Sequence, residues 1–320
     1  MTRKKVLFTR PMPEPVIKAA KTGFDVTVAA DNQPWPVAEC RAAMLEYDAI
    51  VPTLGDGFSQ QAFADLVPRC RLLANFGVGY NHIDVAAAAG CGIVVSNTPG
   101  AVTDATADLA ILLMLMTARR AGEGERLVRS GRWQGWHPTQ MLGMHVTGKT
   151  LGIIGMGRIG RAVARRAHCG FQMPVVFFNR SSVADCGIPA ARQLPDMAKV
   201  MATSDVVSIN VPGGDRNRHL ISAKMLAAMR PGSILVNTAR GDVVDQSAMI
   251  AALKSGALAG AGLDVYEDEP QVPKALVKME NVVLLPHLGT NALEVRTHMG
   301  LMAVKNVTAY FAGNDLPNKV

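Results

Sequence analysis

The chain has 320 residues, of which 49% are hydrophobic and 18% charged, and a formal net charge of +7. That length exceeds what one hydrophobic core organises, so about two domains are expected, and the apolar content excludes a disordered or fibrous chain. The positive charge would suit nucleic acid, but aromatic residues are only 5% and no Lys/Arg block reaches about five residues. No nucleic-acid partner is expected, and the charge is read as favouring anionic small molecules.

Short β-rich runs at residues 5–9, 24–29, 49–54, 72–75 and 93–97 alternate with Ala-rich helical stretches. Parallel strands need crossover connections, so this alternation predicts a parallel sheet covered by helices. A long helix follows over 103–120, with Thr103 or Asp104 placed to cap its start and Arg119-Arg120 suited to its negative end. Its apolar run at 109–116 is too short to cross a bilayer, so no membrane partner is expected.

A second α/β series has predicted strands at 150–154, 175–178, 206–210, 234–237, 260–265 and 282–285, and six strands fit a dinucleotide-binding sheet. The closing helix, 292–311, is too short to be a domain and is expected to return to the first one. The predicted fold is therefore α/β with two Rossmann-like parallel-sheet domains. One is discontinuous and flavodoxin-like, residues 1–100 plus 290–320, and would bind substrate. The other, 101–289, is doubly wound and would bind the dinucleotide.

The five cysteines, Cys40, Cys70, Cys91, Cys169 and Cys186, are scattered and never form a C-x-x-C pair, which argues against a disulfide framework or thiolate metal site. Residues 1–10 contain only the short apolar run Val6-Leu7-Phe8, so no export signal and a cytoplasmic location are expected. The seven histidines show no metal-ligand spacing, and no metal is expected.

Gly155-Met156-Gly157-Arg158-Ile159-Gly160 follows a predicted strand and opens a predicted helix, the context that gives a G-x-G-x-x-G pattern its meaning. Gly155 permits the tight turn, Gly157 lets a pyrophosphate approach the backbone, and Gly160 allows close helix–strand packing. The helix N-terminus supplies N–H donors to the phosphates. About twenty residues on, where an acid would accept the ribose hydroxyl of NAD, this chain has Asn179-Arg180-Ser181-Ser182. Guanidinium and hydroxyl groups can bind a 2′-phosphate that an acid would repel. NADP(H) is thus favoured as cofactor, with NAD(H) the second choice.

Three further segments end predicted strands, where ligands of open α/β sheets sit. Asn237-Thr238-Ala239-Arg240-Gly241 offers a permanent cation that can grip a carboxylate by two points and polarise a carbonyl. Gly262-Leu263-Asp264-Val265-Tyr266-Glu267-Asp268-Glu269-Pro270 carries four acids in six positions. Pro286-His287-Leu288-Gly289-Thr290 offers a histidine suited to acid–base work. By spacing alone, either Glu267 or Glu269 could partner His287.

In their order and strand-end placement these segments resemble the D-isomer-specific 2-hydroxyacid dehydrogenase family. Asn75-Phe76-Gly77-Val78-Gly79-Tyr80, Asn97-Thr98-Pro99-Gly100 and Thr106-Ala107-Asp108 extend the likeness over essentially the whole chain. Within the family the likeness is greatest to NADPH-dependent glyoxylate/hydroxypyruvate reductases, through Phe178-Asn179-Arg180-Ser181 and the stretches Val211-Pro212-Gly213-Gly214 and Asn217-Arg218-His219-Leu220.

The resemblance implies that Arg240 holds the carboxylate and oxo group of a small 2-oxo acid, that His287 donates the proton, and that Glu269 bonds its imidazole. It places the Val78 and Gly79 amides at the substrate carboxylate. Thr106, Val211, Pro212, Thr238, Ala239, Asp264 and Gly289 join the glycine turn, Asn179, Arg180, Ser181, Arg240 and His287 around the cofactor. It also implies a homodimer formed through the 103–120 helix. A carboxylate beside His287 is expected to favour the charged imidazole. Glyoxylate and hydroxypyruvate, reduced to glycolate and D-glycerate, are the expected substrates. A 2-ketogluconate reductase and a nucleotide-sensing binding protein are the alternatives.

Overall fold

The apolar runs of the first hundred residues become short parallel strands: β1 (Lys5–Phe8), β2 (Asp25–Val28), β3 (Ala49–Val51), β4 (Leu72–Ala74) and β5 (Val94–Ser96), in the order β2-β1-β3-β4-β5. This is the flavodoxin-like order of a doubly wound sheet. Residues 3–320 are described in a computed structural model; Met1 and Thr2, the start of the segment read for an export signal, lie outside them.

Every residue of β3 and β4 is buried, as continuous apolar runs covered on both faces should be. Their side chains alternate between two cores, with Leu7, Ile50 and Leu73 in one and Val6, Phe8, Ala49 and Leu72 in the other. Ala303, Val304 and Val307 of the closing helix Leu293–Phe311 pack into the second. By its contacts the chain divides into two compact units, one running to Val102 and resuming over Thr290–Val320, the other Thr103–Gly289.

The second unit has seven parallel strands: β6 (Leu151–Ile154), β7 (Val175–Phe178), β8 (Arg192–Gln193), β9 (Val206–Ile209), β10 (Ile234–Asn237), β11 (Gly260–Leu263) and β12 (Val282–Leu284). Their order is β12-β11-β10-β9-β6-β7-β8, the Rossmann arrangement extended by one strand. The six-strand expectation is short by β8, a two-residue Arg-Gln strand with no apolar periodicity. Pairing with β7, Val176 to Arg192 and Phe177 to Gln193, creates it.

The order reverses between β6 and β9, which places the switch-point crevice outside their carboxyl ends. Most of the sequence motifs of this unit lie at that edge.

The helix expected over 103–120 runs Thr103–Ala118. Arg119-Arg120 lies at its end as expected: the Arg119 N–H donates to the Leu115 carbonyl at 3.0 Å, and Arg120, at a left-handed φ of 53°, stops the helix before a separate one, Ala121–Arg129. Asp104 does not appear as a cap; with Asp108 it bonds Arg166 of the helix Arg158–Phe171, at 2.9 and 2.7 Å. Among the described residues, no helix is long and apolar enough to cross a membrane, and no group of His, Cys, Asp or Glu is placed to hold a metal.

Candidate active site

The β6 strand ends in the glycine turn. Gly155 has φ +95°, and a Cβ there would meet the Asn210 carbonyl oxygen at 2.8 Å; only glycine takes this conformation and approach without strain. Gly160 lies against the Gly155 carbonyl, whereas a Cβ on Gly157 would meet nothing within 4 Å. The turn is thus closed against the protein at Gly155 and Gly160 and open at Gly157, the shape a pyrophosphate requires at the N-terminus of the helix Arg158–Phe171.

Arg158 is exposed and Ile159 half-buried, while Met156 is buried in the core and offers only its backbone. Val211 lies beside Gly155, and the Pro212 carbonyl accepts from the Asn217 amide at 2.7 Å. These residues fit a dinucleotide.

At the end of β7, Asn179 donates to the Ser181 carbonyl and hydroxyl at 3.1 and 3.0 Å. Arg180 is exposed beside an open depression of about 520 Å³, lined by Phe178, Asn179, Arg180, Ser182 and Gln193 among others and by no acid.

Past β10, the side-chain amide of Asn237 donates to the Arg240 carbonyl at 2.9 Å and its oxygen accepts from the Ala239 N–H at 3.0 Å. That brace holds the turn carrying Thr238, Ala239 and Arg240. The guanidinium donates to the Ala239 carbonyl, 2.6 Å, but its Nε and the Thr238 hydroxyl are buried with no partner among the described residues. Unsatisfied buried donors are costly, and a bound ligand would relieve them. Burial pushes the Arg240 guanidinium below its ordinary range, opposed by Glu269 and Asp242; it stays a cation.

Gly241, next in the chain, lies against the Tyr266–Glu267 peptide so closely that a Cβ would overlap the Tyr266 carbonyl. Both sides of this approach are backbone and cannot rotate away. Gly241→Ala is therefore expected to destabilise the protein by at least the ~1–3 kcal/mol usual for overpacking, measured as a lower urea midpoint. An unchanged midpoint would show that the two loops separate freely.

His287 has φ +55°, a conformation costing roughly 1–2 kcal/mol for an L residue. Its loop is held against that cost. His287 N–H donates to the Asp264 carbonyl at 2.9 Å, and the Asp264 carboxylate accepts from the Leu288 and Gly289 N–H groups at 2.6 and 2.8 Å. The Thr106 hydroxyl donates to the Gly289 carbonyl at 3.2 Å. Thr106 and Asp264, expected at the cofactor, thus spend these bonds on the loop that presents His287. Burial pushes the Asp264 carboxyl up despite its two N–H partners and the nearby His287, and pushes the Tyr266 hydroxyl up to about 12.

Of the two candidate acids, Glu269 lies against His287, with its Oε2 2.7 Å from Nδ1 and its Oε1 accepting from the Tyr266 N–H at 3.0 Å. Glu267 instead meets His219 Nε2 at 2.6 Å and Arg218 at 3.0 Å. With Nδ1 engaged by Glu269, Nε2 is the nitrogen left to serve a substrate.

Burial raises the Glu269 carboxyl, but the His287 bond and charge, the Tyr266 N–H and Arg240 outweigh it and hold the group below its ordinary 4.5. A carboxylate depressed by folding contributes stability that is fully present above its unfolded value and lost as pH falls through the folded one. Glu269→Gln is expected to flatten the fall in melting temperature below pH 4.5; a profile as steep as the parent's would assign that loss to other carboxylates.

In the first unit, Asn75 donates to the Gly77 and Gly79 carbonyls, both at 3.0 Å, and Asn97 to the Val78 carbonyl at 2.9 Å. The carbonyls of this turn are occupied, while the Val78 and Gly79 amides donate to nothing among the described residues. Such a turn can receive an anion.

The supports Asn75, Asn97, Asn237, Gly241 and His219 lie inside the motif segments but carry no signal of their own in the sequence, because their partners are carbonyls, loops or distant acids; the one hint is the placement of the asparagines beside the motif residues.

Residues 111–289 match the family described as D-isomer specific 2-hydroxyacid dehydrogenase, NAD binding domain. The chain is 40% identical over 322 residues to the glyoxylate reductase of Thermococcus litoralis, covering 99% of this chain and 97% of that one. It is 35% identical over 318 residues to the glycerate dehydrogenase of Hyphomicrobium methylovorum, covering 99% and 98%. Among solved structures, the NADPH-dependent glyoxylate/hydroxypyruvate reductase of Sinorhizobium meliloti, in complex with NADP and malonate, superposes with a TM-score of 0.88 at 32% identity, covering 100% of this chain and 97% of that one.

Proposed function

The chain belongs to the D-isomer specific 2-hydroxyacid dehydrogenase family, and on that footing we propose that this oxidoreductase reduces glyoxylate and hydroxypyruvate to glycolate and D-glycerate, with NADPH preferred. The observation that carries the reading is the His287–Glu269 pair on the same sheet edge as a cation, Arg240, whose Nε lacks a partner among the described residues.

Hydride to C2 comes from the dinucleotide when it is bound at the glycine turn. Arg240 binds the substrate carboxylate and draws charge onto the oxo oxygen, a task for a cation partly stripped of water. His287 delivers a proton from Nε2 to that oxygen, and Glu269 keeps the imidazole oriented through Nδ1. In the first unit, the turn with the free Val78 and Gly79 amides is by itself able to receive an anion.

The NADPH preference is supported by the depression at Arg180 and Ser182, which no acid lines. A homodimer through the helix Thr103–Ala118 belongs to the same reading, since Leu112 on that helix is 45% exposed. Five free cysteines suit a reducing, cytoplasmic compartment.

The test is turnover of glyoxylate, hydroxypyruvate and bulkier 2-oxo acids such as 2-ketogluconate with each cofactor. The expected result is a higher kcat/KM for the two small acids and for NADPH. Dinucleotide binding without turnover of any acid would sink the enzyme reading, and equal use of NADH would sink the cofactor preference.

A further inference from the structure

The loop after β7, Asn179-Arg180-Ser181-Ser182-Val183, is exposed over Arg180, Ser181 and Ser182. Core packing cannot define its shape there, and a short polar loop of this kind samples many conformations.

The Asn179 amide ties only its first half, to Ser181; Gln193 spans all of it. Gln193 Nε2 donates to the Asn179 carbonyl at 3.1 Å and to the Ser181 carbonyl at 3.0 Å, while its Oε1 accepts from the Val183 N–H at 2.9 Å. A single amide group therefore ties the beginning, the middle and the end of the loop. Gln193 can do so because β8 is paired to β7 with Phe177 opposite Gln193, which fixes its backbone beside the strand that feeds the loop. Gln193 also lines the depression shared with Arg180 and Ser182.

We propose that Gln193 is a positioning residue that sets the 2′-phosphate specificity of the cofactor site. The proposal rests on the NADPH-preferring reading above. Left free, the Asn179 carbonyl oxygen would present partial negative charge to an incoming anion; Gln193 occupies it, and shares the Ser181 carbonyl with the side-chain amide of Asn179. The groups then available to a phosphate are the Arg180 guanidinium and the serine hydroxyls, held by a loop whose ordering cost is met before the ligand arrives. Gln193 touches no phosphate in this account; it acts through the loop.

The experiment uses the full-length protein and two probes, adenosine 2′,5′-bisphosphate and adenosine 5′-diphosphate, which differ in the 2′-phosphate. Gln193→Met keeps the length of the side chain and removes all three hydrogen bonds. It is expected to weaken the bisphosphate about tenfold and the diphosphate by less than about twofold, the loss of one charge-supporting arrangement. The KM for NADPH should rise in parallel, with that for NADH nearly constant.

Gln193→Asn, one methylene too short to reach all three partners, is the second variant, and a matching melting temperature certifies the fold of each. Arg180→Ala reports on the underlying reading. If the parent protein binds both probes equally and Arg180→Ala alters neither, there is no 2′-phosphate site, and both readings fall. If the parent prefers the bisphosphate and Arg180→Ala abolishes that preference while both Gln193 variants retain it, the cofactor reading stands and the inference about Gln193 is overturned. Equal weakening of both probes by the Gln193 variants would make it a plain structural tie and overturn the inference as well.

Discussion

Replacing His287 by alanine is expected to lower kcat for 2-oxo acid reduction by about 10²- to 10⁴-fold, the range supplied by a positioned general acid. In the proposed mechanism the oxo oxygen gains negative charge as hydride arrives at C2, and without a proton from Nε2 that charge would be carried by Arg240 alone. The cofactor's phosphates are assigned to the glycine turn on another loop, so the dinucleotide Kd should move by less than about twofold, a loss in kcat without a matching loss in ground-state binding. Stopped-flow turnover and fluorescence titration measure the two quantities separately. An unchanged kcat would remove His287 from the chemistry. A large loss of dinucleotide affinity would instead show that the variant disturbs the loop that Asp264 and Thr106 hold through Gly289 and its neighbours.

Arg240→Ala is expected to cost about 10³-fold or more in kcat/KM, because in the proposed mechanism it removes both the grip on the carboxylate and the charge that meets the developing oxyanion. Lysine at the same place keeps the cation but loses the planar fork, so Arg240→Lys should recover only part of the loss. A second signature follows from electrostatics. The Arg240 cation is one of the influences that hold the Glu269 carboxyl low. Without it that carboxyl protonates at a higher pH, so the acid limb of the pH–rate profile should move upward in Arg240→Ala. If kcat/KM falls while the acid limb stays in place, Arg240 acts on substrate alone. If kcat/KM is unchanged, the assignment of the substrate carboxylate to Arg240 falls.

The supports of these two residues explain why the site was only partly legible beforehand. Arg240 and His287 could be placed because each follows an apolar strand and strand ends meet at one edge of a parallel sheet. Asn237 could not be separated from the rest of its strand. Its amide works on the carbonyl and N–H of its own turn, and such local side-chain bonds leave no periodic trace. The paired strand β8 was missed for a related reason, since Arg192 and Gln193 show neither apolar alternation nor β-branched side chains, the signals by which a strand is read.

What the amino-acid sequence determined by itself is the pair of parallel sheets, the closing helix that packs on the first of them, and the dinucleotide turn. Each is written in short-range patterns, apolar runs at strand spacing and glycines where a Cβ cannot go, and burial enforces those patterns wherever the chain turns up. Spacing could not choose between Glu267 and Glu269; the family likeness named Glu269, and the tertiary structure supplies the reason. The loop after β11 delivers Glu269 to His287 and Glu267 to His219, 48 residues away in the chain. The same holds for the Thr106 bond to Gly289, across 183 residues, and for Gln193 on its loop. Such pairings depend on which loops the sheet order brings to one edge, and no local stretch of sequence encodes that order.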